Sequence, residues 1–108
     1  MLLTLDGIKV SCIIGDLPHE RLTPQPLRVD VELQIPDTAA QSDNLADTVD
    51  YVAVKDRVAA VLVAAKPRLI ERAALMVYEA LEGYGARKVK VTKFGAIPDL
   101  DSASAIYP

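Results

Sequence analysis

The sequence predicts an α+β fold, in which two helices cover one face of an antiparallel β-sheet within a single domain, residues 1–108. Two segments with apolar–polar alternation lie near the N-terminus, two apolar stripes at helical spacing follow, and another alternating segment comes after them. The order strand, strand, helix, helix, strand, with a short final strand, is typical of an antiparallel sheet with its helices on one side.

The first strand is predicted over Ile8–Ile14, where every second residue forms an apolar face. Leu3 and Leu5 have the opposite parity, so the alternation shifts by one residue at Asp6-Gly7. We expect a β-bulge or a strand start at that point.

The second strand has the cleanest alternation in the chain, with an apolar face formed by Val29, Val31, Leu33 and Ile35. A polar, proline-containing segment from Asp16 to Pro26 separates the two strands and is longer than a tight hairpin turn. Because loops carry function more often than strands do, this segment is the first place to look for site residues.

The first helix is predicted by apolar residues at helical spacing: Tyr51, Val54, Val58, Val61, Leu62 and Ala65. A polar segment from Asp37 to Asp47 leads into it, and Asp47, Thr48 and Asp50 all suit its N-terminus as cap or first-turn residues. Pro67 is expected to end this helix, and its ring also suits the first position of the next one.

The second helix is predicted by the stripe Leu69, Ile70, Ala73, Ala74, Val77 and Leu81, and it should stop at Gly83 and Gly85. Val89 and Val91 then alternate with polar residues and predict a third strand. Residues Ser102 to Tyr107 favour a short fourth strand.

Composition excludes several classes of protein. The net charge is −3 and no basic patch is evident, which argues against a nucleic-acid-binding domain. A single cysteine, Cys12, allows no intrachain disulfide, and neither a signal peptide nor a membrane span is evident, so we expect a cytoplasmic protein. An apolar fraction of 51% suggests a subunit interface, although a core rich in alanine and valine would also explain it.

Four short motifs stand in a particular order along the chain. They are Ile14-Gly15-Asp16-Leu17-Pro18-His19-Glu20-Arg21 with Pro24-Gln25, then the run Ser42–Tyr51, then Leu69-Ile70-Glu71, and finally Val91-Thr92-Lys93. Together they resemble the dihydroneopterin aldolase family of folate biosynthesis, from about Ile8 to Pro98. The resemblance implies the tunnelling fold, in which sheets from several subunits join into a barrel-like ring. It also implies a homo-oligomer (tetramer or octamer) that binds a pterin between subunits and uses no cofactor and no metal.

Lys93 departs from the apolar–polar pattern of the third strand. It is charged, yet it has the parity of Val89 and Val91 and should point toward the apolar face. An amine in a partly dry pocket loses its proton more readily, which suits proton transfer. Alternatively, the strand ends at Thr92 and the ammonium reaches water. The resemblance favours the first interpretation and makes Lys93 catalytic.

Three further residues acquire roles from the resemblance. Glu71 alone could be an ordinary first-turn carboxylate, but the family holds its pterin at this position, next to Ile70. Glu20 alone could be a solvated carboxylate paired with Arg21, but the family has a catalytic-site glutamate here. Tyr51 alone could be a half-buried core residue, but the resemblance implies that its hydroxyl reaches substrate in the active site of an adjacent subunit.

The other reactive side chains support no rival chemistry. His19 and Cys12 are the only histidine and thiol, whereas a tetrahedral zinc site needs three or four ligands. This argues against the zinc-dependent relatives GTP cyclohydrolase I and pyruvoyl-tetrahydropterin synthase. Cys12 has the parity of a core-facing residue, so we expect a buried and inert thiol.

Three alternatives remain open at this point. The first is an epimerase acting on dihydroneopterin triphosphate, for which the sequence offers only Arg21 and Arg28 as phosphate ligands. The second is a pterin- or purine-binding homologue without catalysis, and the third is a structural oligomer without a ligand. One departure from the family pattern is Phe94, which stands where a proline usually follows the catalytic lysine.

Overall fold

The computed structural model describes all residues from Met1 to Pro108. Four strands form one antiparallel sheet in the order β1-β2-β3-β4. The strands are β1 (Leu2–Cys12), β2 (Gln25–Gln34), β3 (Ala86–Phe94) and β4 (Ser102–Tyr107), and the helices are α1 (Thr38–Ser42), α2 (Tyr51–Ala65) and α3 (Ile70–Ala80). The predicted α+β class and the predicted fourth strand are therefore confirmed.

The shift of parity near the N-terminus is a β-bulge, as predicted. Leu5 pairs with Val31 and Ile8 pairs with Val29, so two residues of β1 have no partner on β2. Gly7 adopts φ +77°, and its backbone N–H donates a hydrogen bond of 2.7 Å to the Asp30 carboxylate. The bulge returns Leu3 and Leu5 to the helix-facing side, where both pack against the core.

Helix α2 begins and ends at local signals. The Asp50 carboxylate caps its N-terminus by accepting a hydrogen bond from the Val52 N–H. The helix buries Val54, Val58 and Leu62 and ends at Ala65, because Lys66 adopts a left-handed conformation at φ +47°.

Pro67 does not open the next helix, so that expectation is wrong. Helix α3 begins three residues later, at Ile70, after Leu69 in an extended conformation. The left-handed turn at Lys66 redirects the chain, and a further short segment is needed before it can run back across the sheet. Pro67 lies in that segment with its side chain buried, whereas Leu69 lies outside the helix and is exposed.

The core lies between the sheet and helices α2 and α3. Alternate residues of the first three strands contribute to it, and Ala73, Ala74 and Val77 of α3 pack against them. Cys12 is among the buried residues, as predicted, and burial raises the pKa of its thiol.

The other face of the sheet is mainly polar. It presents charged and hydroxyl side chains, including those of Lys9, Arg28, Asp30, Lys90, Thr92 and Ser104. Arg28 forms an ion pair with Asp30, and the hydroxyls of Thr92 and Ser104 lie 2.8 Å apart. The exposed apolar side chains of Phe94 and Ile106 interrupt this polar surface.

Two smaller features complete the fold. The polar segment before α2 contains the short helix α1. Its five residues bury no side chain, so no apolar periodicity in the sequence predicts it. None of the helices combines the length and the apolar character that a membrane span requires.

Candidate functional site

The centre of the candidate site is an ion pair between Lys93 and Glu20. Lys93 lies one residue before the end of β3, opposite Leu27 of β2, and faces the helices as its parity predicts. Its Nζ donates to Glu20 Oε2 at 2.5 Å, and each side chain is only 13% exposed. The strand therefore does not end at Thr92, and the ammonium meets a carboxylate rather than open water.

Glu20 comes from the β1–β2 connection, in a single 3₁₀ turn over Pro18–Arg21. Its carboxylate accepts two hydrogen bonds besides that from Lys93, from Gln25 Nε2 at 3.1 Å and from the Leu17 N–H at 3.3 Å. The bonds from Lys93 and Gln25 lower the pKa of Glu20 to about 2. At neutral pH the Glu20 side chain is therefore an ionised carboxylate.

Gln25 supports this arrangement, although nothing in the sequence predicts a role for it. Its side-chain amide also donates to the Ile14 carbonyl at 2.7 Å and so joins the end of β1 to the Glu20 carboxylate. The sequence signal was present, since Pro24-Gln25 belongs to the motif, but nothing local indicates which groups the amide contacts.

Gly15 makes space for the Glu20 carboxylate. Its φ of +112° is a conformation that side-chain-bearing residues rarely adopt, and a Cβ at this position would overlap the carboxyl group of Glu20. Because Lys93, Gln25 and Leu17 hold that carboxyl group from other directions, it cannot move aside without losing them.

We therefore expect Gly15→Ala to lower the free energy of unfolding by roughly 1–3 kcal/mol and to reduce turnover, because backbone strain adds to a displaced Glu20. Denaturant unfolding at a fixed protein concentration measures the stability change. Gly83→Ala is the matched control, since a Cβ there meets nothing within 4 Å. Equal stability of the two variants would contradict this account of Gly15.

A cavity of about 370 Å³ opens beside the ion pair. Its walls come from the Glu20 loop and from the chain just after β3: Leu17, His19, Glu20, Thr23, Pro24, Gln25, Gly95 and Ala96. A small polar molecule can therefore approach the Glu20 carboxylate from solvent. No group of three or more His, Cys, Asp or Glu side chains is arranged to hold a metal ion.

Glu71 lies in the first turn of α3, as predicted, with Ile70 half-buried beside it. The Glu71 side chain is exposed, and its carboxylate forms no ion pair within the chain. It is available to accept hydrogen bonds from a ligand.

Arg21 does not pair with Glu20, so the pairing considered from the sequence is wrong. Its guanidinium donates to the carbonyls of Gly15, Pro67 and Lys66 at 3.1, 3.1 and 2.7 Å. These bonds hold the loop that carries Glu20 against the turn between α2 and α3. That turn leads into α3, and Glu71 lies in the first turn of this helix.

Tyr51 lies far from the Lys93–Glu20 ion pair within one chain. It begins α2 with its side chain 59% exposed and lines a depression of about 270 Å³ together with Leu3. Leu3 pairs with Leu33 of β2, whereas Lys93 pairs with Leu27, six residues and roughly 20 Å away along that strand. One subunit alone therefore cannot place Tyr51 beside Lys93.

Comparison with known proteins identifies the family. The family model of dihydroneopterin aldolase matches residues 3–106. A comparison with curated protein sequences gives no match. Among solved structures, an Escherichia coli dihydroneopterin aldolase in complex with neopterin is 26% identical, with a TM-score of 0.88 over 99% of this chain and 96% of that one.

Two further solved structures are similar over nearly the whole length of this chain. A Vibrio cholerae protein described as a dihydroneopterin aldolase is 26% identical, with a TM-score of 0.89 over 99% of this chain and 94% of that one. A dihydroneopterin aldolase from Burkholderia thailendensis bound to guanine is 25% identical, with a TM-score of 0.78 over 99% and 88%. The chain belongs to the dihydroneopterin aldolase family.

Proposed function

We infer that this protein is a dihydroneopterin aldolase, which cleaves dihydroneopterin to hydroxymethyl-dihydropterin and glycolaldehyde in folate biosynthesis. The observation that carries the inference is the close, shielded pair of Lys93 and Glu20 beside a cavity, in a chain of this family. The binding of neopterin and guanine by two similar proteins supports a flat bicyclic ligand here as well.

The reaction requires little besides orientation and proton transfer. A base removes the proton from the hydroxyl next to the carbon–carbon bond, the bond breaks, and its electron pair passes into the imine of the pterin ring. A proton then returns to carbon. Because the ring itself accepts the electrons, no Schiff base is needed, and a positioned amine and carboxylate suffice to move the protons.

The residues divide these tasks as follows. Glu71 holds the ring, because one carboxylate can accept two parallel hydrogen bonds from the amino-pyrimidine edge, and Ile70 packs beside it. Lys93 transfers protons, directly or through water. Glu20 positions that water and tunes Lys93, and Tyr51 from a neighbouring subunit protonates or steadies the enol-like intermediate.

An assembly of subunits completes the site. Strands β1 and β4 are the free edges of the sheet, and joining them between neighbours would close the sheets into a ring without exposed edges. Exposed apolar side chains on and before α2 suit contact with a neighbour: Leu45, Tyr51, Val52 and Val63. A tetramer or octamer of this kind would bring Tyr51 of one subunit to Lys93 of the next.

The surroundings in the cell fit the same interpretation. The only cysteine is buried and unpaired, which suits a reducing compartment such as the cytoplasm. The polar face of the sheet carries both signs of charge, so it offers nucleic acid no uniformly basic surface.

Two residues bear on the epimerase alternative. Arg21 donates to three backbone carbonyls, and Arg28 lies on the polar face of the sheet in an ion pair with Asp30. The Arg21 guanidinium is engaged with the backbone, and Arg28 lies on the face of the sheet opposite to Lys93, so neither is placed to receive a triphosphate at the cavity beside Glu20. This observation favours cleavage of the unphosphorylated substrate over a reaction of the triphosphate.

Incubation of the protein with dihydroneopterin and, separately, with its triphosphate tests the proposal. We expect glycolaldehyde and hydroxymethyl-dihydropterin in equal amounts from the first substrate and little change of the second. Epimerised triphosphate without cleavage would establish the epimerase instead. Neopterin binding without any product would establish a pterin-binding homologue.

A further inference from the structure

Arg21 joins two parts of the fold that carry different candidate residues. Its Nη1 donates to the Gly15 and Pro67 carbonyls, and its Nη2 donates to the Lys66 carbonyl. Gly15 belongs to the loop that presents Glu20. Lys66 and Pro67 belong to the turn between α2 and α3, which leads to Glu71.

The bond to Gly15 has a direct consequence for Glu20. Gly15 lies so close to the Glu20 carboxyl group that not even a Cβ would fit between them. A rotation of the Gly15 peptide would therefore move the backbone against the carboxylate that Lys93 contacts. By fixing the Gly15 carbonyl, Arg21 fixes the space in which that carboxylate lies.

The planar guanidinium is well suited to this contact. It presents several N–H groups in a fixed fork, so one side chain can satisfy three carbonyls that belong to two separate segments. A lysine at this position retains the charge, but its single nitrogen cannot reproduce the fork. The Gly15 and Pro67 residues are both buried, so their carbonyls have few other donors.

We propose that Arg21 is a positioning residue, which clamps the Glu20 loop to the turn before α3 and thereby sets the placement of the Glu20–Lys93 pair relative to Glu71. The proposal rests on the function inferred above, in which Glu71 holds the ring and the pair moves protons. Arg21 itself touches no substrate. Its loss should therefore impair turnover far more than ligand binding, because the ring remains held while the proton-transfer groups are displaced.

Arg68 provides a matched control. It pairs with Asp16 at 2.9 Å and so spans the same loop and turn, but both side chains are largely exposed. An exposed ion pair of this kind contributes little to the geometry. Arg68→Gln removes one positive charge from the same neighbourhood without touching the three carbonyls.

The experiment compares Arg21→Gln, Arg21→Lys and Arg68→Gln with the wild type. The measurements are kcat for dihydroneopterin, the Kd of neopterin by calorimetry, and the pKa of the Glu20 carboxyl by NMR. We expect Arg21→Gln to lower kcat about 10- to 100-fold and to leave the Kd within about twofold, since small misplacements of reacting groups have effects of this size. Arg21→Lys should show a smaller loss, and Arg68→Gln should match the wild type.

The NMR measurement keeps the proposal separate from the proposed reaction. In both Arg21 variants the pKa of Glu20 should rise from about 2 toward its ordinary 4.5, because the carboxylate loses its fixed distance to Lys93. This result is expected even if the wild type cleaves no substrate. An unchanged Glu20 pKa in both Arg21 variants, or an equal rise in Arg68→Gln, would overturn the positioning role.

Discussion

Lys93→Ala should lose turnover by about 10²- to 10⁴-fold while retaining its affinity for neopterin, since this is the usual range for removing a positioned acid or base. The physical reason is that Lys93 contacts Glu20, which lines the cavity, whereas Glu71, the residue proposed to hold the ring, lies on α3. Single-turnover kinetics with dihydroneopterin and calorimetry with neopterin measure the two effects separately.

The control for this prediction is Lys88→Ala. Lys88 belongs to the same strand, but its side chain is exposed on the polar face of the sheet. We expect its activity to equal that of the wild type. Lys93→Ala could lose as much neopterin affinity as turnover. That result would show that Lys93 binds the ring, and the proposed division of roles between Glu71 and Lys93 would be wrong.

Glu71→Ala should weaken neopterin binding by at least about 100-fold, because two hydrogen bonds to a charged acceptor contribute several kcal/mol. The fold should persist, since the Glu71 side chain is exposed and supports no ion pair of the chain. Calorimetry gives the affinity, and denaturant unfolding at matched concentration gives the stability.

Glu79→Ala is the matched control for Glu71→Ala, because Glu79 is an exposed carboxylate on the same helix, more than two turns from its start. It should bind neopterin as the wild type does. Intact binding by Glu71→Ala would refute the ring-holding role, and a comparable loss in both variants would indicate a nonspecific effect of charge.

Local alternation was sufficient to predict the strands and the face on which an unbroken third strand would place Lys93, but it left open whether the strand continues past Thr92. A strand places successive side chains on opposite faces, so the parity of Val89 and Val91 determines that of Lys93 without knowledge of the rest of the chain. The bulge at Gly7 was predictable for the same reason, because the parity changes there and nowhere else along β1.

The partner of Lys93 could not be predicted from periodicity. Glu20 is 73 residues away in sequence, and its loop has no repeating pattern from which a conformation follows. Its direction depends on the positive φ of Gly15 and on bonds from Arg21 to carbonyls 45 and 46 residues away. The family resemblance indicated Glu20, but only the structure shows the contact.

Adjacency in sequence was misleading for Arg21 and uninformative for Tyr51. Arg21 follows Glu20 directly in sequence, yet its guanidinium donates to the Lys66 and Pro67 carbonyls in the turn between α2 and α3. Tyr51 was expected at the start of a helix and lies there, but the strand register places it far from Lys93. Its proposed role therefore depends on a second subunit.

Exchange of subunits between two inactive variants tests this shared site most directly. Lys93→Ala and Tyr51→Phe are each purified, unfolded, mixed in equal amounts and refolded together, with each variant refolded alone as its control. If Lys93 and Tyr51 act from different subunits, about a quarter of the sites in the mixture combine both intact residues, and activity should rise to about that share of wild type. Activity of the mixture no greater than the mean of the two variants alone would contradict a site formed between neighbouring subunits.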